Sequence, residues 1–299
     1  MDNTLLPIEK RAVLVTGAST GIGYHAACTL KQRGYQVFAA ARKTDDVQRL
    51  AAEGFNAIRM DMQDSASIHL GVEQVLRQTQ NRLYGLFNNA GFGQPGAVED
   101  VSRDALRAQF ETNVFGLHEL TCAVIPVMRE QGYGRIIQNS SILGFVGLAY
   151  RGAYNSSKFA LEGLTDTMRV ELSNTPIKVS IIQPGPIVSK FRENAYQKFR
   201  ENIDQNNSYH QKTYHLVTRR LSEGSDDPYT LGPEAVTNAV IHALESKRPK
   251  IRYRITKPTI YMAWLKRLLS ERRFDRLVKH VMESEIKEAA KNTNQNKES

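Results

Sequence analysis

The chain has 299 residues, and its 40 lysines and arginines against 31 aspartates and glutamates give a formal net charge of +9 at pH 7. Hydrophobic residues make up 41% of the chain and charged residues 24%, a globular composition that excludes a disordered or fibrous protein. No apolar run approaches the roughly 18 residues that a membrane-spanning helix needs, and a strand-like run from Ala12 leaves no room for a signal peptide before it. Only Cys28 and Cys122 are present, both expected to be small buried hydrophobes, so we expect a cytoplasmic protein without disulfides.

Short β-branched runs alternate with longer amphipathic ones over the first two thirds of the chain. Strands are predicted at residues 12–16, 36–40, 57–60, 83–88, 135–139 and 178–183. Helices are predicted at residues 22–33, 44–53, 65–79, 105–130 and 152–173. This alternation is typical of α/β proteins in which a parallel sheet has helices on both faces. We therefore expect a single doubly wound α/β domain over residues 1–256.

The pattern changes after Pro184. Residues 188–230 are polar, contain scattered aromatic side chains and lack strong periodicity, which is typical of an active-site lid. A helix is predicted at 232–245, and a short strand at 250–255 ends the sheet. Beyond it we expect a basic helical extension over residues 257–299, with amphipathic stretches at 259–269 and 274–282 and a frayed tail.

Positive charge is concentrated in one segment near the C-terminus. Between Lys247 and His280 there are 12 lysines and arginines and 2 acidic residues, a net charge of +10, whereas the rest of the chain has 28 basic and 29 acidic residues and a net charge of −1. Three interpretations compete. The segment is a solvated face whose long side chains cover apolar surface, or a basic amphipathic helix at 261–269 that contacts the inner surface of a membrane through Trp264 and the leucines. Nucleic-acid binding is the third, and charge alone is a poor argument for it.

A glycine-rich turn follows the first predicted strand directly. Residues 16–23 read Thr-Gly-Ala-Ser-Thr-Gly-Ile-Gly and open the first helix. Gly17 allows a tight turn, the small side chains let a pyrophosphate approach the backbone, and the unpaired N–H groups of the helix start point at that anion. Because the turn lies between a strand and a helix, it predicts a dinucleotide site rather than a plain turn.

The end of the second strand indicates which dinucleotide is bound. An acidic residue there binds the ribose 2′-hydroxyl of NAD, whereas an arginine suits the 2′-phosphate of NADP. Here the strand ends in Ala-Ala-Ala followed by Arg42 and Lys43, with no acid between positions 36 and 43. We therefore predict NADP(H). The alternative is that Arg42 and Lys43 are solvated and that Asp45 or Asp46 reaches back to the ribose, although these two acids look like the first turn of a helix.

A serine, a tyrosine and a lysine form the candidate catalytic set. Tyr154 and Lys158 are four residues apart, so they lie on one face of a helix. A phenol has a pKa of about 10, and a nearby ammonium favours the phenolate and lowers that pKa. Ser141, at the end of the fifth strand, can donate a hydrogen bond to a substrate oxygen. A lone Tyr-x-x-x-Lys pair is common in helices, so it indicates a catalytic site only in combination with the motifs that precede it in the chain.

In their order and spacing, these motifs resemble those of the short-chain dehydrogenase/reductase family over roughly the first 190 residues. The family's TGxxxGxG turn matches residues 16–23, and its NNAG motif matches residues 88–91. The resemblance implies a Rossmann-type fold and a catalytic Ser141, Tyr154 and Lys158, with Ser140 as the competing serine at a less suitable spacing. It also implies that Asn113 bends its helix and holds a water of a proton relay.

The resemblance extends to the remaining cofactor contacts. Asp61 and Met62 fall where the family contacts adenine, and Pro184 and Gly185 fall where it lines the nicotinamide. The full set of expected cofactor residues is Gly17, Ser19, Gly21, Ile22, Gly23, Arg42, Lys43, Asp61, Met62, Asn89, Ala90, Gly91, Tyr154, Lys158, Pro184, Gly185 and Ile187. No metal site is expected, because His210 and His215 in a polar segment are more typical of solvated side chains.

Within the family, the chain is most similar to bacterial NADP-dependent aldehyde reductases related to the retinol and 17β-hydroxysteroid dehydrogenase branch. The resemblance implies NADPH-dependent reduction of aldehydes or ketones by a homodimer or homotetramer, with no nucleic-acid partner. One alternative is an NAD(P)-dependent dehydrogenase that oxidises a hydroxysteroid, a retinol-like molecule or another apolar alcohol. Another is a binding protein that senses NADP(H) without turnover.

Overall fold

A seven-stranded parallel sheet with helices on both faces forms the body of the protein in the computed structural model, which describes residues 6–223 and 228–295. The strands lie in the order β3-β2-β1-β4-β5-β6-β7. Their bounds are Ala12–Thr16 (β1), Gln36–Ala41 (β2), Asn56–Arg59 (β3), Gly85–Asn88 (β4), Gly134–Asn139 (β5), Ile177–Gln183 (β6) and Arg252–Arg254 (β7). This architecture confirms the predicted Rossmann-type doubly wound fold.

Central strands are buried along their whole length because both faces of the sheet are covered. Every residue of β1 is buried, and its side chains alternate between two separate cores. Leu14 packs in the core on one face, and Val13 and Val15 pack in the core on the other. A polar alternation would place polar side chains in one of these cores, which explains the continuous apolar runs of the sequence.

Helices cover the two faces and extend the chain beyond the sheet. Their bounds are Gly21–Gln32 (α1), Thr44–Ala52 (α2), Ser65–Gln78 (α3), Arg103–Phe110 (α4), Gly116–Glu130 (α5), Gly152–Glu171 (α6), Phe191–Asn202 (α7), Gln211–Glu223 (α8), Glu234–Glu245 (α9), Lys257–Leu268 (α10) and Glu271–Gln295 (α11). Helices α3 and α5 pack against each other on one face, and α1 packs against α9 on the other.

The predicted helix at 105–130 is interrupted in the structure. A five-residue π-helical segment, Glu111–Phe115, separates α4 from α5. Such wide turns are rare and concentrate at functional sites, because they shift the hydrogen-bond pattern of a helix by one residue. The helix predicted at 105–130 from periodicity is therefore interrupted at Asn113, the position where the family resemblance implies that this residue bends its helix.

The region predicted as an aperiodic lid contains two helices, α7 and α8. Their buried side chains form a small core of their own beside the sheet, made by Phe199, Ile203 and Tyr214 with Ala97. Few apolar residues supply this core, so the periodicity in the sequence is weak. The weak periodicity of residues 188–230, of which 224–227 lie outside the described residues, therefore did not predict these two helices, and the role of this segment as a lid remains a prediction.

The C-terminal extension is helical, as predicted, but its second helix runs further than expected. Helix α11 continues to Gln295, where a frayed tail was predicted beyond residue 282. The division of the chain at residue 256 remains a prediction. Cys28 is half-buried and Cys122 is exposed, so the expectation that both are buried was wrong. Over residues 6–223 and 228–295, no helix combines the length and apolarity needed to cross a membrane.

Candidate active site

The predicted site residues converge at the carboxyl-terminal edge of the sheet. Gly17 follows β1, Asn89 follows β4, Ser141 follows β5 and Pro184 follows β6. The strand order reverses between β1 and β4, and parallel α/β sheets bind their ligands in the crevice that such a reversal opens. Four motifs that are far apart in the sequence thus meet where this fold binds ligands.

Glycines shape the turn between β1 and α1. Gly17 and Gly21 have φ values of +62° and +57°, which side chains rarely adopt. A Cβ at Gly23 would lie 2.3 Å from the backbone oxygen of Gly17, so no larger residue fits there. The first hydrogen bond of α1 runs from the Tyr24 N–H to the Thr20 oxygen, and within the described chain the Thr20 side chain caps no first-turn N–H group. The N–H groups at this helix start therefore fit a pyrophosphate.

The glycine turn is bonded directly to the turn after β4. Thr16 Oγ1 accepts hydrogen bonds from the N–H groups of Asn89 and Ala90, each over 3.0 Å. Asn89 Nδ2 donates to the Thr16 oxygen over 3.0 Å, and Asn139 Nδ2 donates to Asn89 Oδ1 over 2.9 Å. A Cβ at Gly17 would lie 2.9 Å from the Ala90 Cα. The turns after β1, β4 and β5 are thus fixed relative to one another.

Two cations lie side by side at the end of β2. Arg42 and Lys43 are exposed, and among the described residues the side chain of neither has a hydrogen-bond or ion-pair partner. Asp46 instead lies 3.5 Å from Arg49, within the first turns of α2. Arg49 Nη2 also donates a hydrogen bond to the Ser19 backbone oxygen over 2.7 Å. That contact was missed by sequence reasoning, and it joins α2 to the glycine turn.

Tyr154 and Lys158 lie in the first two turns of α6, beside the end of β5. The Lys158 Nζ donates a hydrogen bond to the Asn139 backbone oxygen over 2.7 Å and lies 5.8 Å from the centre of the Tyr154 ring. The Ser141 Oγ accepts a hydrogen bond from the Leu143 N–H over 3.1 Å. The buried Ser140 Oγ, the competing serine, has no hydrogen-bond partner among the described residues. The structure therefore brings the three predicted catalytic side chains to one place.

Burial shifts the pKa of both groups on α6. It raises the pKa of Tyr154 to about 12, while the Ser141 side chain and the Arg151 charge act in the opposite direction. It lowers the pKa of Lys158 to about 8, against the attraction of the Glu162 carboxylate. The sequence suggested that the lysine lowers the tyrosine pKa. In the protein alone, desolvation of the phenol is the larger effect, because it penalises the charged phenolate.

Asn113 is fully buried in the π-helical segment and joins two parts of the site. Its Oδ1 accepts a hydrogen bond from the Phe92 N–H over 3.1 Å, and its Nδ2 donates to the Phe92 oxygen over 3.0 Å and to Ser157 Oγ over 3.1 Å. A Cβ at Gly91 would lie 3.1 Å from the same Oδ1. The side chain thus holds the turn after β4 against α6. The relay water assigned to Asn113 remains a prediction.

The remaining predicted cofactor residues differ in how deeply their side chains are buried. Ile22 and Asp61 are half-buried, but the Met62 side chain lies in the hydrophobic core. Pro184 is buried, and a Cβ at Gly185 would lie 2.1 Å from Thr256 Oγ1, so the chain passes close to the start of α10 there. Ile187 forms an isolated parallel bridge with Leu231 at the base of the lid.

Two further residues lie next to the catalytic set. The ring of Phe191, at the start of α7, lies 5.2 Å from the ring of Tyr154. Glu162 is buried one turn after Lys158 and accepts hydrogen bonds from Gln183 Nε2 over 2.9 Å and Arg252 Nε over 3.3 Å. Phe191 was recognised in the sequence only as one of several aromatic residues. The signal for Glu162 is its four-residue spacing from Lys158, but its partners come from β6 and β7.

The C-terminal helices contact the segment that follows Ser141. Lys266 Nζ donates a hydrogen bond to the Phe145 oxygen, and the Ala149 N–H donates to Met282 Sδ over 3.2 Å. Among the side chains that the structure describes, no three His, Cys, Asp or Glu residues lie close enough together to bind a metal ion.

Comparison with known proteins gives consistent matches along the chain. The family model for short chain dehydrogenases matches residues 11–199. The Escherichia coli K12 protein named "Uncharacterized oxidoreductase YbbO" is 40% identical over 271 residues, covering 91% of this chain and 95% of its own. Human retinol dehydrogenase 8 is 31% identical over 81% of this chain and 80% of its own. A crystal structure of a Streptomyces avermitilis short-chain dehydrogenase superposes with a TM-score of 0.71 at 28% identity, covering 96% of this chain and 98% of its own.

Proposed function

The chain belongs to the short-chain dehydrogenase/reductase family of oxidoreductases, and we propose that it reduces aldehydes or ketones to alcohols with NADPH. The observation that carries the proposal is the meeting of Ser141, Tyr154 and Lys158 beside the glycine turn. A reductase needs a hydride donor at the carbonyl carbon and an acid at the carbonyl oxygen. The glycine turn would hold the cofactor that donates the hydride, and the side chain of Tyr154 is the acid.

Each catalytic side chain has a distinct part in this reaction. When bound, the reduced cofactor supplies the hydride that the carbonyl carbon accepts. Tyr154 gives its proton to the carbonyl oxygen, and its raised pKa keeps that proton available across the physiological range. Ser141 donates a hydrogen bond that holds the same oxygen. Lys158 carries the positive charge that stabilises the resulting phenolate and binds the ribose hydroxyls.

The proton that Tyr154 loses is replaced from solvent. Lys158 is buried, so it needs a path to bulk water. Asn113 lies in a π-helical segment next to α6, and such a segment leaves a backbone carbonyl without its usual helical partner. We assign to Asn113 the placement of a water that links Lys158 with solvent.

NADPH is preferred to NADH because of the charges after β2. The side chains of Arg42 and Lys43 are exposed and have no partners among the described residues, whereas Asp46 forms an ion pair with Arg49. A 2′-phosphate would meet two cations there, and a free ribose would meet no carboxylate from the end of β2. The pyrophosphate is assigned to Gly17, Ser19 and the start of α1.

Oxidation of an apolar alcohol with NAD(P) is the second candidate. It is favoured by the aromatic cover of Tyr154 in the lid and by the similarity to human retinol dehydrogenase 8. The same residues serve both directions, since the tyrosine acts as base in oxidation.

We also propose a cytoplasmic homodimer or homotetramer. The exposed apolar side chains Leu164 and Val170 on α6 support an interface between subunits.

The test is a substrate panel in which aliphatic and aromatic aldehydes, ketones and retinal are measured with NADPH, and hydroxysteroids and other alcohols are measured with NADP⁺ and NAD⁺. We expect NADPH oxidation above background with stoichiometric formation of the alcohol. Turnover confined to alcohols and NAD⁺ supports the second candidate. Tight NADPH binding without turnover on any member of the panel supports a sensor and contradicts the proposal.

A further inference from the structure

We propose that helix α10 docks this protein on an anionic membrane surface, with Tyr261, Trp264 and Leu268 inserted among the lipid headgroups. The basic side chains around this helix bind the lipid phosphates. This proposal is independent of the reaction and of the cofactor.

Helix α10 presents its large apolar residues to solvent. Its inward face has the small residues Thr259 and Ala263, both buried. Tyr261, Trp264 and Leu268 are 62%, 58% and 74% exposed. At 3.6 residues per turn these three side chains lie within an arc of about 60°. A surface helix of a water-soluble protein normally has the reverse arrangement, so this face is suited to an apolar or interfacial environment.

The segment that contains α10 also carries the excess positive charge of the protein. Residues 247–280 carry a net charge of +10, whereas the rest of the chain carries −1. Arg267 on α10 and Arg272, Arg273 and Arg276 on α11 are exposed. Such basic residues beside an apolar stripe are attracted by the negative potential of anionic lipids.

Charge also decides between a membrane and the other occupants of this face. A second copy of the chain would bring a +10 region against another +10 region, and that repulsion disfavours a dimer formed through α10. Nucleic acid would satisfy the charge, but an aliphatic side chain such as Leu268 gains little against a phosphate backbone. Tryptophan and tyrosine prefer the headgroup region of a bilayer, where the ring is apolar and its polar atom remains hydrated.

Helix α10 is not a loose appendage. Lys266, on its inward side, donates a hydrogen bond to the Phe145 oxygen and lies 5.2 Å from the centre of the Phe159 ring. Helix α11 packs against α8 of the lid. A bilayer that binds the outward face of α10 therefore lies on the other side of this helix from the segment that follows Ser141.

Trp264 provides the direct test, because it is the single tryptophan of the chain. The full-length protein is titrated with vesicles of phosphatidylglycerol and phosphatidylcholine in equal parts, and with phosphatidylcholine vesicles alone. We expect a blue shift of Trp264 fluorescence with the mixed vesicles only, its reversal by high salt, and quenching by lipids brominated on the acyl chain.

Two variants that retain Trp264 separate the apolar and the charged contributions. Leu268→Ser is expected to weaken the vesicle affinity about tenfold, from the loss of one inserted side chain. Arg272→Gln with Arg273→Gln is expected to weaken it about 25-fold, at roughly fivefold for each charge. Matched controls on α3 are Leu70→Ser and Arg77→Gln, which also replace exposed residues and should leave the affinity unchanged.

Three results would overturn the proposal. The first is the absence of a fluorescence shift with the mixed vesicles. The second is a shift that needs no vesicles and grows with protein concentration, which identifies a second copy as the occupant. The third is a shift with double-stranded DNA that exceeds the shift with vesicles at the same salt concentration.

Discussion

The ring of Phe191 covers the ring of Tyr154, with 5.2 Å between their centres. Phe191 is the first residue of α7, so the lid contacts the candidate acid, Tyr154, through the start of this helix. The same ring fills the space above Gly93, where a Cβ would lie 2.8 Å from Phe191 Cζ. This packing contributes to the desolvation that raises the pKa of Tyr154 to about 12.

Replacing Phe191 tests whether the lid residue shapes the substrate site. Phe191→Ala removes apolar cover from Tyr154, so we expect kcat/KM for apolar aldehydes to fall about tenfold, mainly through KM. Steady-state kinetics with a short and a long aliphatic aldehyde measure this, and the long one should lose more. The control is Tyr209→Ala, which removes a fully exposed aromatic residue of the same region. Equal kinetics for both variants contradict a role for Phe191.

Glu162 is predicted to set the upper pH limit of the reaction. Burial lowers the pKa of Lys158 to about 8, and the Glu162 charge opposes that shift. Because the reaction needs the lysine cation, kcat/KM for reduction should fall as the pH rises through about 8. In Glu162→Gln the lysine loses its attractive partner, its pKa drops further, and the fall should begin at a lower pH.

The charges around Lys158 provide the control for that experiment. On α6 it faces Tyr154 and Glu162, and on β5 it bonds to an uncharged backbone oxygen. Arg252 of β7 binds Glu162 and also Asp166, one turn further along α6. Asp166→Asn therefore disturbs the same arginine without removing the charge next to Lys158, and it should shift the pH profile less than Glu162→Gln. A larger shift of the pH profile in Asp166→Asn than in Glu162→Gln would mean that the Glu162 charge does not set the pKa of Lys158 and that Glu162 has only a structural role.

Arg42 and Lys43 are predicted to select the phosphorylated cofactor. Arg42→Ala removes a charge-assisted hydrogen bond to the 2′-phosphate, which is worth about 1.5–3 kcal/mol, so KM for NADPH should rise roughly 10- to 100-fold. KM for NADH should change little. Arg107→Ala on α4, an exposed arginine away from β2, is the control. An unchanged preference in Arg42→Ala would support the alternative in which Asp45 or Asp46 binds the ribose.

Two glycines of the chain should respond oppositely to the same substitution. Gly23→Ala places a Cβ 2.3 Å from the Gly17 oxygen, and the overpacking should cost about 1–3 kcal/mol and weaken NADPH binding. Gly163 lies inside α6, where an added Cβ would meet no neighbouring atom within 4 Å, so Gly163→Ala should stabilise the protein by about 0.5–1 kcal/mol. Urea denaturation measures both free energies of unfolding. A Gly23→Ala variant with native stability and native NADPH affinity would contradict this account of the glycine turn.

Local patterns were sufficient to predict the sheet, and they supplied the candidate site residues that the structure brings together. Three of these patterns each lie within one short segment: the buried run of β1, the glycines after it, and the four-residue spacing of Tyr154 and Lys158. The strand, the turn and the shared helix face can therefore be predicted without knowledge of tertiary contacts. The π-helical segment around Asn113 could not be predicted from periodicity, because it adds a single residue to an otherwise helical pattern.

Features that depend on tertiary contacts were not predictable. The lid helices share a core of few apolar residues, and their pattern is too weak without the partner surface. Glu162 acquires its partners Gln183 and Arg252 only when β6 and β7 pair. The sequence left open whether the apolar side chains of 261–269 contact a membrane, and the structure shows that Tyr261, Trp264 and Leu268 point to solvent.

The most direct test of the central claim is the turnover of Tyr154→Phe with NADPH and an aldehyde that the native enzyme reduces. Loss of the acid should lower kcat by about 100- to 10,000-fold, while the dissociation constant of NADPH stays within about threefold of the native value. Ser156→Ala, two residues further along α6, should keep full activity. If Tyr154→Phe reduces the aldehyde at a rate close to that of the native enzyme, Tyr154 is not the proton donor and the account is wrong.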